Sequence, residues 1–258
     1  MKEMISSQCL YAAFLLMSDS TATILLVTPV WQDSTRLAGF GMELAPALAA
    51  SPLPVRWIIA DDGSGEIEKS RLLELRASFA EIFPRVEVYF ATKHRGKGSV
   101  VREAWAQAPA AEWLAFVDAD GSVNAADMLA LISKAIAADR SVLGIRKRTA
   151  TTRLTESPWR GLVHRGFLKV VELLLGLNCE DPQCGGKIIK ASDYRRVVAG
   201  LSENGLAFDS ELLSALKRSG AGWLEIPVSW EEKPGGKVKP LRDAWPMLLA
   251  LLRIRFKG

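Results

Sequence analysis

The sequence contains only two histidines, His94 and His164, and three cysteines, Cys9, Cys179 and Cys184. None of them has the spacing of a zinc or other Cys/His metal site, so a metal held by nitrogen or sulfur ligands is excluded. An odd number of cysteines gives no disulfide framework either. We therefore expect reduced thiols in a reducing compartment.

Long apolar runs are also lacking. The run from Cys9 to Met17 is much shorter than the ~20 residues that a membrane-spanning helix needs. Only Lys2 precedes it as a basic residue, and no small-x-small cleavage site follows, so a signal peptide is not indicated. We predict that no segment spans a membrane. We interpret residues 1–22 as a disordered N-terminal extension, with Met17 as a candidate start of the natural chain.

The net charge of +4 is modest, but the basic residues are concentrated in two segments. Residues 140–170 contain eight Lys or Arg and one acid, Glu156, and residues 233–258 contain seven and one acid, Asp243. Basic patches on an otherwise acidic chain indicate an anionic partner. Because both patches lie within amphipathic segments, a membrane surface with anionic lipid fits better than nucleic acid, and we expect no nucleic-acid partner.

Short apolar runs alternate with helical patterns in the first half of the chain. The runs are nearly unbroken and rich in β-branched and aromatic residues, as strands buried on both faces are. The alternation predicts an α/β fold with a mostly parallel sheet and helices on both faces. Ligands of such sheets bind at the carboxyl ends of the strands. The runs and helical patterns occupy residues 23–30, 34–50, 55–60, 66–83, 97–108 and 113–117.

The second half of the chain carries two basic amphipathic segments. Ser157-Pro158 is a typical helix start, and apolar residues then repeat along one face as far as Leu175. We predict interfacial helices at 157–177 and 241–258, with the apolar stripe of the first more consistent with a membrane interface than with the core. A strand at 222–230 and a flexible basic loop at 233–239 precede the second helix. Residues 23–240 are predicted to form one domain that includes the helix at 157–177, and the helix at 241–258 follows it.

The pair Asp118 and Asp120, directly after the apolar run at 113–117, provides the strongest chemical signal. Two carboxylates at a strand end can bind a hard divalent cation such as Mg²⁺ or Mn²⁺, which keeps open positions for phosphate oxygens. Such an ion neutralises charge on a departing diphosphate. A second acidic turn, Asp61-Asp62, follows the preceding predicted strand and supports the same interpretation. The Gly96-Lys97-Gly98 segment lacks P-loop spacing and indicates a helix start close to this ligand.

Taken in order, these segments resemble the family 2 glycosyltransferases of the GT-A fold, and within them the polyprenyl- or dolichyl-phosphate sugar synthases. The resemblance covers residues 23–256, and several motifs occur in the family's order. They are VTPVWQDSTRL, ADDGS, KHRGKGSVVREAW, VDADGS, LGIRKR, DPQCGGKIIK, FDSELLSALKRSG, EIPVSW and GGKVKPLRDAW. The resemblance implies a metal-dependent hexosyltransferase, with residues 23–240 as its catalytic domain.

Site residues follow from the resemblance position by position. Pro29, Trp31 and Asp33 occupy the family's P-x-Y-N-E positions in the nucleoside pocket. Ser122 stands where the mannose synthases often have a metal-ligating Gln, so a third protein ligand to the metal is left open. The remaining positions implied for the nucleotide-sugar are Ala60, Asp62, Lys97, Asp118, Ala119 and Lys237, with Asp118 and Asp120 as metal ligands.

The acceptor and sugar positions are implied in the same way. Arg146, Arg160 and His164 match the cluster that receives an acceptor phosphate, and the two arginines join the carboxylate pair as predicted catalytic residues. Gln183 is expected to shape the sugar pocket. Glu211 could contact sugar hydroxyls or pack its own helix, and Asp209 could cap that helix.

The function implied is inverting transfer of a hexose from a nucleoside-diphosphate sugar to polyprenyl or dolichyl phosphate, at the cytoplasmic face of a membrane. DPQCGGK and FDSELL are closer to the DTQCGFK and FDVELL of dolichyl-phosphate glucosyltransferases than to mannose synthases, which favours UDP-glucose. The alternatives are mannose transfer from GDP-mannose and a soluble or glycan acceptor, which would need a catalytic carboxylate such as Asp181. A sugar nucleotidyltransferase lacks its Gly-rich loop here. A non-catalytic nucleotide-sugar sensor would not need both Asp118 and Asp120.

Overall fold

The computed structural model describes residues 23–155, 158–233, 235 and 240–257, without the side chains of residues 158–160, 162, 164 and 240–243. The predicted extension at 1–22 and the start of the predicted helix at Ser157 lie outside this description. The strands are β1 Ile24–Val30, β2 Val55–Asp61, β3 Val86–Phe90, β4 Trp113–Val117, β5 Ser141–Arg146, β6 Leu154–Thr155, β7 Gly186–Lys190, β8 Trp223–Val228 and β9 Trp230–Glu231. The helices are α1 Ser34–Ala50, α2 Glu66–Ile82, α3 Lys97–Trp105, α4 Ala125–Ala138, α5 Pro158–Leu175, α6 Ala191–Val197, α7 Phe208–Arg218 and α8 Pro240–Lys257, with a short 3₁₀ helix at Val198–Gly200.

Seven strands form one sheet in the order β3-β2-β1-β4-β7-β5-β8. The pairs β3–β2, β2–β1, β1–β4 and β5–β8 are parallel, whereas β7 is antiparallel to both of its neighbours. The mostly parallel α/β fold is therefore confirmed. Pro29 is tolerated in this central strand because β4 pairs with β1 only as far as Val27, which leaves one side of the strand end open.

Helices cover both faces of the sheet, and each face has its own apolar core. On one face, α1, α2 and α4 bury Leu44, Phe79 and Ile132. On the other face, α3 and α7 bury Trp105 and Phe208, together with residues from α5, α6 and α8. The predicted strands and helices of the first half are confirmed, although α3 ends earlier than predicted. Pro109 disfavours helical geometry in the residue before it, which explains the earlier end.

The helices α5 and α8 contact each other and contribute to the second core. In the described part of α5, Val171 is buried, and Phe167 and Leu174 pack against the core. The apolar stripe that we assigned to a membrane interface therefore packs against the protein there. The exposed apolar side chains on these helices are different ones, namely Leu173, Trp245, Leu249 and Phe256. Among the described residues, no helix has both the length and the apolar character needed to cross a membrane.

Candidate active site

The candidate site lies at the carboxyl ends of β2, β1 and β4, which are neighbours in the sheet. Gln32, just after β1, has a left-handed φ of 48°, and its N–H donates to Ser64 Oγ at 2.7 Å. The N–H of Ser64 donates in turn to Asp61 Oδ2 at 3.1 Å. The turn after β1 is thereby fixed to the turn after β2, so the two turns form one edge of the site.

Asp118 and Asp120 lie in the turn directly after β4, as predicted. The N–H of Asp118 donates to the carbonyl of Gly185 at 3.0 Å, and Asp120 Oδ1 accepts the N–H of Ser122 at 2.9 Å. The side chains of Asp118 and Asp120 are 37% and 23% exposed. The backbone therefore fixes the turn while both carboxylates stay accessible to a ligand.

Lys97, at the first position of α3, brings a positive charge to this pair, while its predicted role toward the nucleotide-sugar stays a prediction. Its Nζ lies 2.8 Å from Asp118 Oδ1 and 3.6 Å from Asp209 Oδ2. Loss of hydration alone would lower the pKa of Lys97, but the charges of Asp118 and Asp209 outweigh that effect and raise the pKa. Loss of hydration, with a smaller contribution from the charge of Asp120, raises the pKa of Asp118 against the opposing effect of Lys97. Lys97 is thus held protonated beside the carboxylate pair.

A buried lysine continues this network below the site. Lys187, in β7, is fully buried, and its Nζ lies 2.9 Å from Asp209 Oδ1 and 2.6 Å from the carbonyl oxygen of Cys184. Sequence reasoning missed both Lys187 and the contact of Asp209 with the site. Lys187 is a charged residue within the apolar strand GKIIK, and that pattern could have revealed it because an isolated buried charge needs a partner.

Arg36, in the first turn of α1, is a second residue that sequence reasoning missed. Its Nε donates to Asp33 Oδ1 at 2.9 Å, its Nη2 donates to Asp33 Oδ2, and its Nη1 donates to Asp120 Oδ2 at 3.2 Å. The hydrogen bond with Asp33 is the main cause of a raised pKa for Arg36. The Asp33–Arg36 spacing at the start of a predicted helix is the available signal, since residues three apart face each other on a helix.

The positions predicted for the nucleoside include a residue of a stacked aromatic pair. The rings of Trp31 and His94 lie 4.1 Å apart with an interplanar angle of 17°. His94 Nδ1 lies 2.7 Å from Asp62 Oδ2, and the carboxylate of Asp62 also accepts the N–H groups of Arg95 and Gly96 at 2.9 and 2.7 Å. Asp62 therefore anchors the loop that presents His94 to Trp31.

The other predicted nucleoside positions lie beside this pair. Pro29 and Ala60 are register partners at the ends of β1 and β2. Ala119 is buried between Asp118 and Asp120. The structure thus places the predicted donor positions of its described part along one edge, while Lys237 lies outside the described residues.

The predicted acceptor residues are arranged differently. Arg146, at the end of β5, pairs with Asp181 through Nε at 2.6 Å and Nη2 at 2.8 Å, and its guanidinium lies 5.2 Å from the centre of the Trp230 ring. Asp181 is buried and also accepts the backbone N–H of Gln183 at 3.3 Å. The structure therefore joins Arg146 to the Gln183 segment through Asp181. Its role toward an acceptor phosphate stays a prediction.

Two further predicted acceptor residues, Arg160 and His164, lie in the first turns of α5, and their side chains are outside the described part of the chain. Glu211 is among the described residues, and the contacts of its carboxylate there are with groups other than Asp118 and Asp120. Its carboxylate accepts the N–H groups of Ser202 and Glu203 at 3.0 and 2.8 Å and lies 3.4 Å from Lys257 Nζ. These contacts agree with a packing role for Glu211, while its contact with sugar hydroxyls stays a prediction.

The chemistry of the carboxylate pair fits a divalent metal. Asp118 and Asp120 offer hard oxygen ligands on a partly exposed turn, which suits Mg²⁺ or Mn²⁺. Gly185 makes room for one of them, because a Cβ at this glycine would lie 2.7 Å from Asp118 Cγ. Within the described residues, no group of three or more His, Cys, Asp or Glu is arranged to hold a metal. The two aspartates would then hold the ion and leave other positions to phosphate oxygens and water.

Comparison with solved structures identifies the fold as GT-A. Glucosyl-3-phosphoglycerate synthase from Mycobacterium tuberculosis, solved with Mg²⁺ and uridine diphosphate, superposes with a TM-score of 0.61 at 16% identity. The match covers 93% of this chain and 81% of that chain. Residues 44–197 match the profile of Glycosyl transferase family 2, and the chain belongs to this family.

Two relatives of this chain are dolichyl-phosphate beta-glucosyltransferases. The dolichyl-phosphate beta-glucosyltransferase of Drosophila melanogaster is 30% identical over 227 residues, which covers 83% of this chain and 69% of the relative. The dolichyl-phosphate beta-glucosyltransferase of Dictyostelium discoideum is 28% identical over 208 residues, which covers 78% of this chain and 62% of the relative. The chain thus spans less than two thirds of the length of the Dictyostelium protein and is similar to glucosyltransferases of this kind within its family.

Proposed function

We propose that this protein is a metal-dependent glycosyltransferase that moves glucose from UDP-glucose to a polyprenyl or dolichyl phosphate, with inversion at the anomeric carbon. The observation that carries the proposal is the pair Asp118 and Asp120 at the carboxyl edge of the sheet, with Lys97 2.8 Å from Asp118. The names of the relatives support the choice of glucose and of a lipid phosphate.

In this proposal, different residues of the chain bind the nucleoside, the diphosphate and the metal ion. The stacked Trp31–His94 pair holds the nucleoside, and Lys97 and Lys237 attract the diphosphate. A Mg²⁺ or Mn²⁺ ion held by Asp118 and Asp120 supplies neutralisation of the charge on the leaving diphosphate. An oxygen of the acceptor phosphate forms the bond to the anomeric carbon while the bond from that carbon to the diphosphate oxygen breaks. The electron pair leaves with UDP, and no proton has to move.

The ion pairs made by two buried acids, Asp181 and Asp209, favour a phosphate acceptor over a hydroxyl acceptor. A hydroxyl nucleophile needs a general base. Asp181, the candidate base, accepts two hydrogen bonds from the Arg146 guanidinium and one from the Arg146 backbone N–H, and Asp209 lies 2.9 Å from Lys187. Both carboxylates are thus already paired with a cation, which disfavours either one as the base that a hydroxyl acceptor requires. An acceptor phosphate, as a monoanion or a dianion, needs no general base.

The acceptor is tested by following transfer of labelled glucose from UDP-glucose to a short polyprenyl phosphate, with the polyprenol that lacks phosphate as the control. We expect transfer to the phosphate alone, and we expect Arg160→Ala to raise the concentration of lipid phosphate required while UDP binding changes little. Equal transfer to the alcohol would contradict the phosphate assignment and favour a hydroxyl acceptor. Stronger transfer from GDP-mannose than from UDP-glucose would replace glucose by mannose.

We further propose that the protein attaches peripherally to an anionic membrane on the cytoplasmic face. Trp245 and Phe256 on α8 are 65% and 84% exposed, and Arg165, Lys169 and Arg255 are exposed on α5 and α8. Aromatic side chains insert at the headgroup level, and each basic residue near an anionic surface adds about 1 kcal/mol.

Sedimentation with liposomes tests this attachment. Binding is expected to rise with the fraction of anionic lipid, to fall at high salt, and to fall in the double variant Trp245→Ser, Phe256→Ser. Ile67→Ser removes an equally exposed apolar side chain from α2 and serves as the matched control. Attachment that is independent of anionic lipid, or equally weakened by both variants, would exclude α8 as the membrane-binding element.

A further inference from the structure

Each carboxylate of the Asp118–Asp120 pair has a cation beside it. Lys97 lies against Asp118, and Arg36 donates to Asp120 Oδ2 at 3.2 Å. Lys97 is the first residue of α3 and was predicted to bind the nucleotide-sugar, whereas Arg36 belongs to a different element, α1, and had no predicted role. Arg36 is 19% exposed and Asp120 is 23% exposed, so this contact lies at the surface that a ligand would reach.

The other side of the Arg36 guanidinium is fixed. Its Nε and Nη2 both bind Asp33, which is 13% exposed. Such a two-point pair is stronger and more directional than a single contact, so Asp33 determines where the guanidinium lies. The contact with Asp120 is single and longer, and it is therefore the one that can be given up without losing the position of Arg36.

The charged groups around Asp120 affect how a divalent cation can bind there. The four carboxylates of Asp33, Asp118, Asp120 and Asp209 are offset by the three cations of Arg36, Lys97 and Lys187, so these seven groups together carry a formal charge of only −1. A divalent cation entering alone would meet Arg36 at the same oxygen of Asp120. A nucleoside diphosphate brings negative charge, which allows the divalent cation and Arg36 to stay at the site together.

We propose that Arg36 is the counter-ion of Asp120: it opposes binding of a divalent cation in the absence of nucleotide and donates to a diphosphate oxygen once the nucleotide is bound. Its three recorded contacts with the described residues use one N–H on each of Nε, Nη1 and Nη2. The guanidinium has five N–H groups, so a further ligand oxygen can be accommodated. The cation and the nucleoside diphosphate would then bind together rather than in sequence.

This inference rests on the proposed function for the identity of its ligand, and opposite changes in two binding constants test it. Calorimetry on the full chain measures the Kd of Mn²⁺ alone and the Kd of UDP at saturating Mn²⁺. Arg36→Ala is expected to tighten Mn²⁺ binding severalfold, because the opposing charge is gone, and to weaken UDP binding about tenfold, because a charge-assisted hydrogen bond is lost. Arg36→Lys keeps the charge and should leave Mn²⁺ binding near the wild-type value while UDP binding still weakens.

The chain provides a matched control in Arg196→Ala, since Arg196 forms the same i,i+3 pair with Asp193 at the start of α6. This variant should change neither constant, and thermal melting of every variant verifies folding. If Arg36→Ala resembles the control, or weakens Mn²⁺ and UDP binding together, Arg36 is only structural and the inference fails. If the wild type binds Mn²⁺ but not UDP, the proposed function fails, while the Mn²⁺ comparison still decides whether Arg36 opposes the cation.

Discussion

Replacing Asp120 with alanine is expected to abolish sugar transfer while the protein remains folded. Asp120 is a surface-accessible carboxylate whose removal takes away one of the two protein ligands proposed for the metal. The loss of one preorganised charge-stabilising group typically costs about 3–4 kcal/mol of transition-state stabilisation, a decrease in kcat of roughly 10²–10³. Initial rates of glucose transfer, with Mn²⁺ and UDP-glucose near saturation, measure the effect.

Asp139→Ala is the appropriate control for this variant. Asp139 is 75% exposed, follows α4, and pairs with Lys190 away from the Asp118–Asp120 turn. It should leave the rate unchanged, because an exposed ion pair contributes little. Metal titrations add a second readout, since Asp120→Ala should also weaken Mn²⁺ binding. A variant that turns over normally with or without Mn²⁺ would rule out the metal role of Asp120.

Gly185→Ala is expected to inactivate the enzyme through a single methyl group. A Cβ at Gly185 would lie 2.7 Å from Asp118 Cγ and 3.0 Å from its Cβ, well inside normal contact distances. Either the carboxylate or the segment before β7 must move. Displacing a reacting or metal-binding group by about 1 Å can cost about a hundredfold in rate, so we expect a loss of at least that size.

Gly205→Ala separates this effect from the general cost of replacing a glycine. A Cβ at Gly205 meets nothing within 4 Å, so that variant should retain activity. Circular dichroism and melting temperature establish that both variants fold, and Mn²⁺ binding should be weakened only by Gly185→Ala. Normal activity in Gly185→Ala would mean that the position of Asp118 does not depend on the close approach of Gly185.

Much of the fold was predictable because its strands carry a strong local signal. Strands β1, β2 and β4 are continuous apolar runs, and each ends at a polar turn, so their boundaries and parallel arrangement follow from the sequence. Strand β7 was not predicted. Its sequence, GKIIK, is short and contains two lysines, and it runs antiparallel between β4 and β5 only because a long-range pairing places it there.

The closeness of several predicted site residues in the fold was also largely predictable. Asp118, Asp120 and Lys97 come together because all three lie in turns or at a helix start on the carboxyl edge of the sheet. The partners of these residues were harder to predict from the sequence. Asp209 was interpreted as a helix cap, yet it lies 3.6 Å from Lys97, and the binding of Glu211 to the Ser202–Glu203 segment was not predicted.

The sequence by itself determined the α/β class, the carboxylate pair at the end of β4 and the basic amphipathic helices. Each of these depends on residues that are close along the chain, where periodicity and turn chemistry act directly. Only the tertiary structure decided which cation serves which carboxylate. Arg36 and Asp120 are far apart in sequence, as are Lys187 and Asp209. Their pairing depends on where separate helices and strands meet once the two cores have packed, because a buried or half-buried charge takes its partner from the nearest element in space.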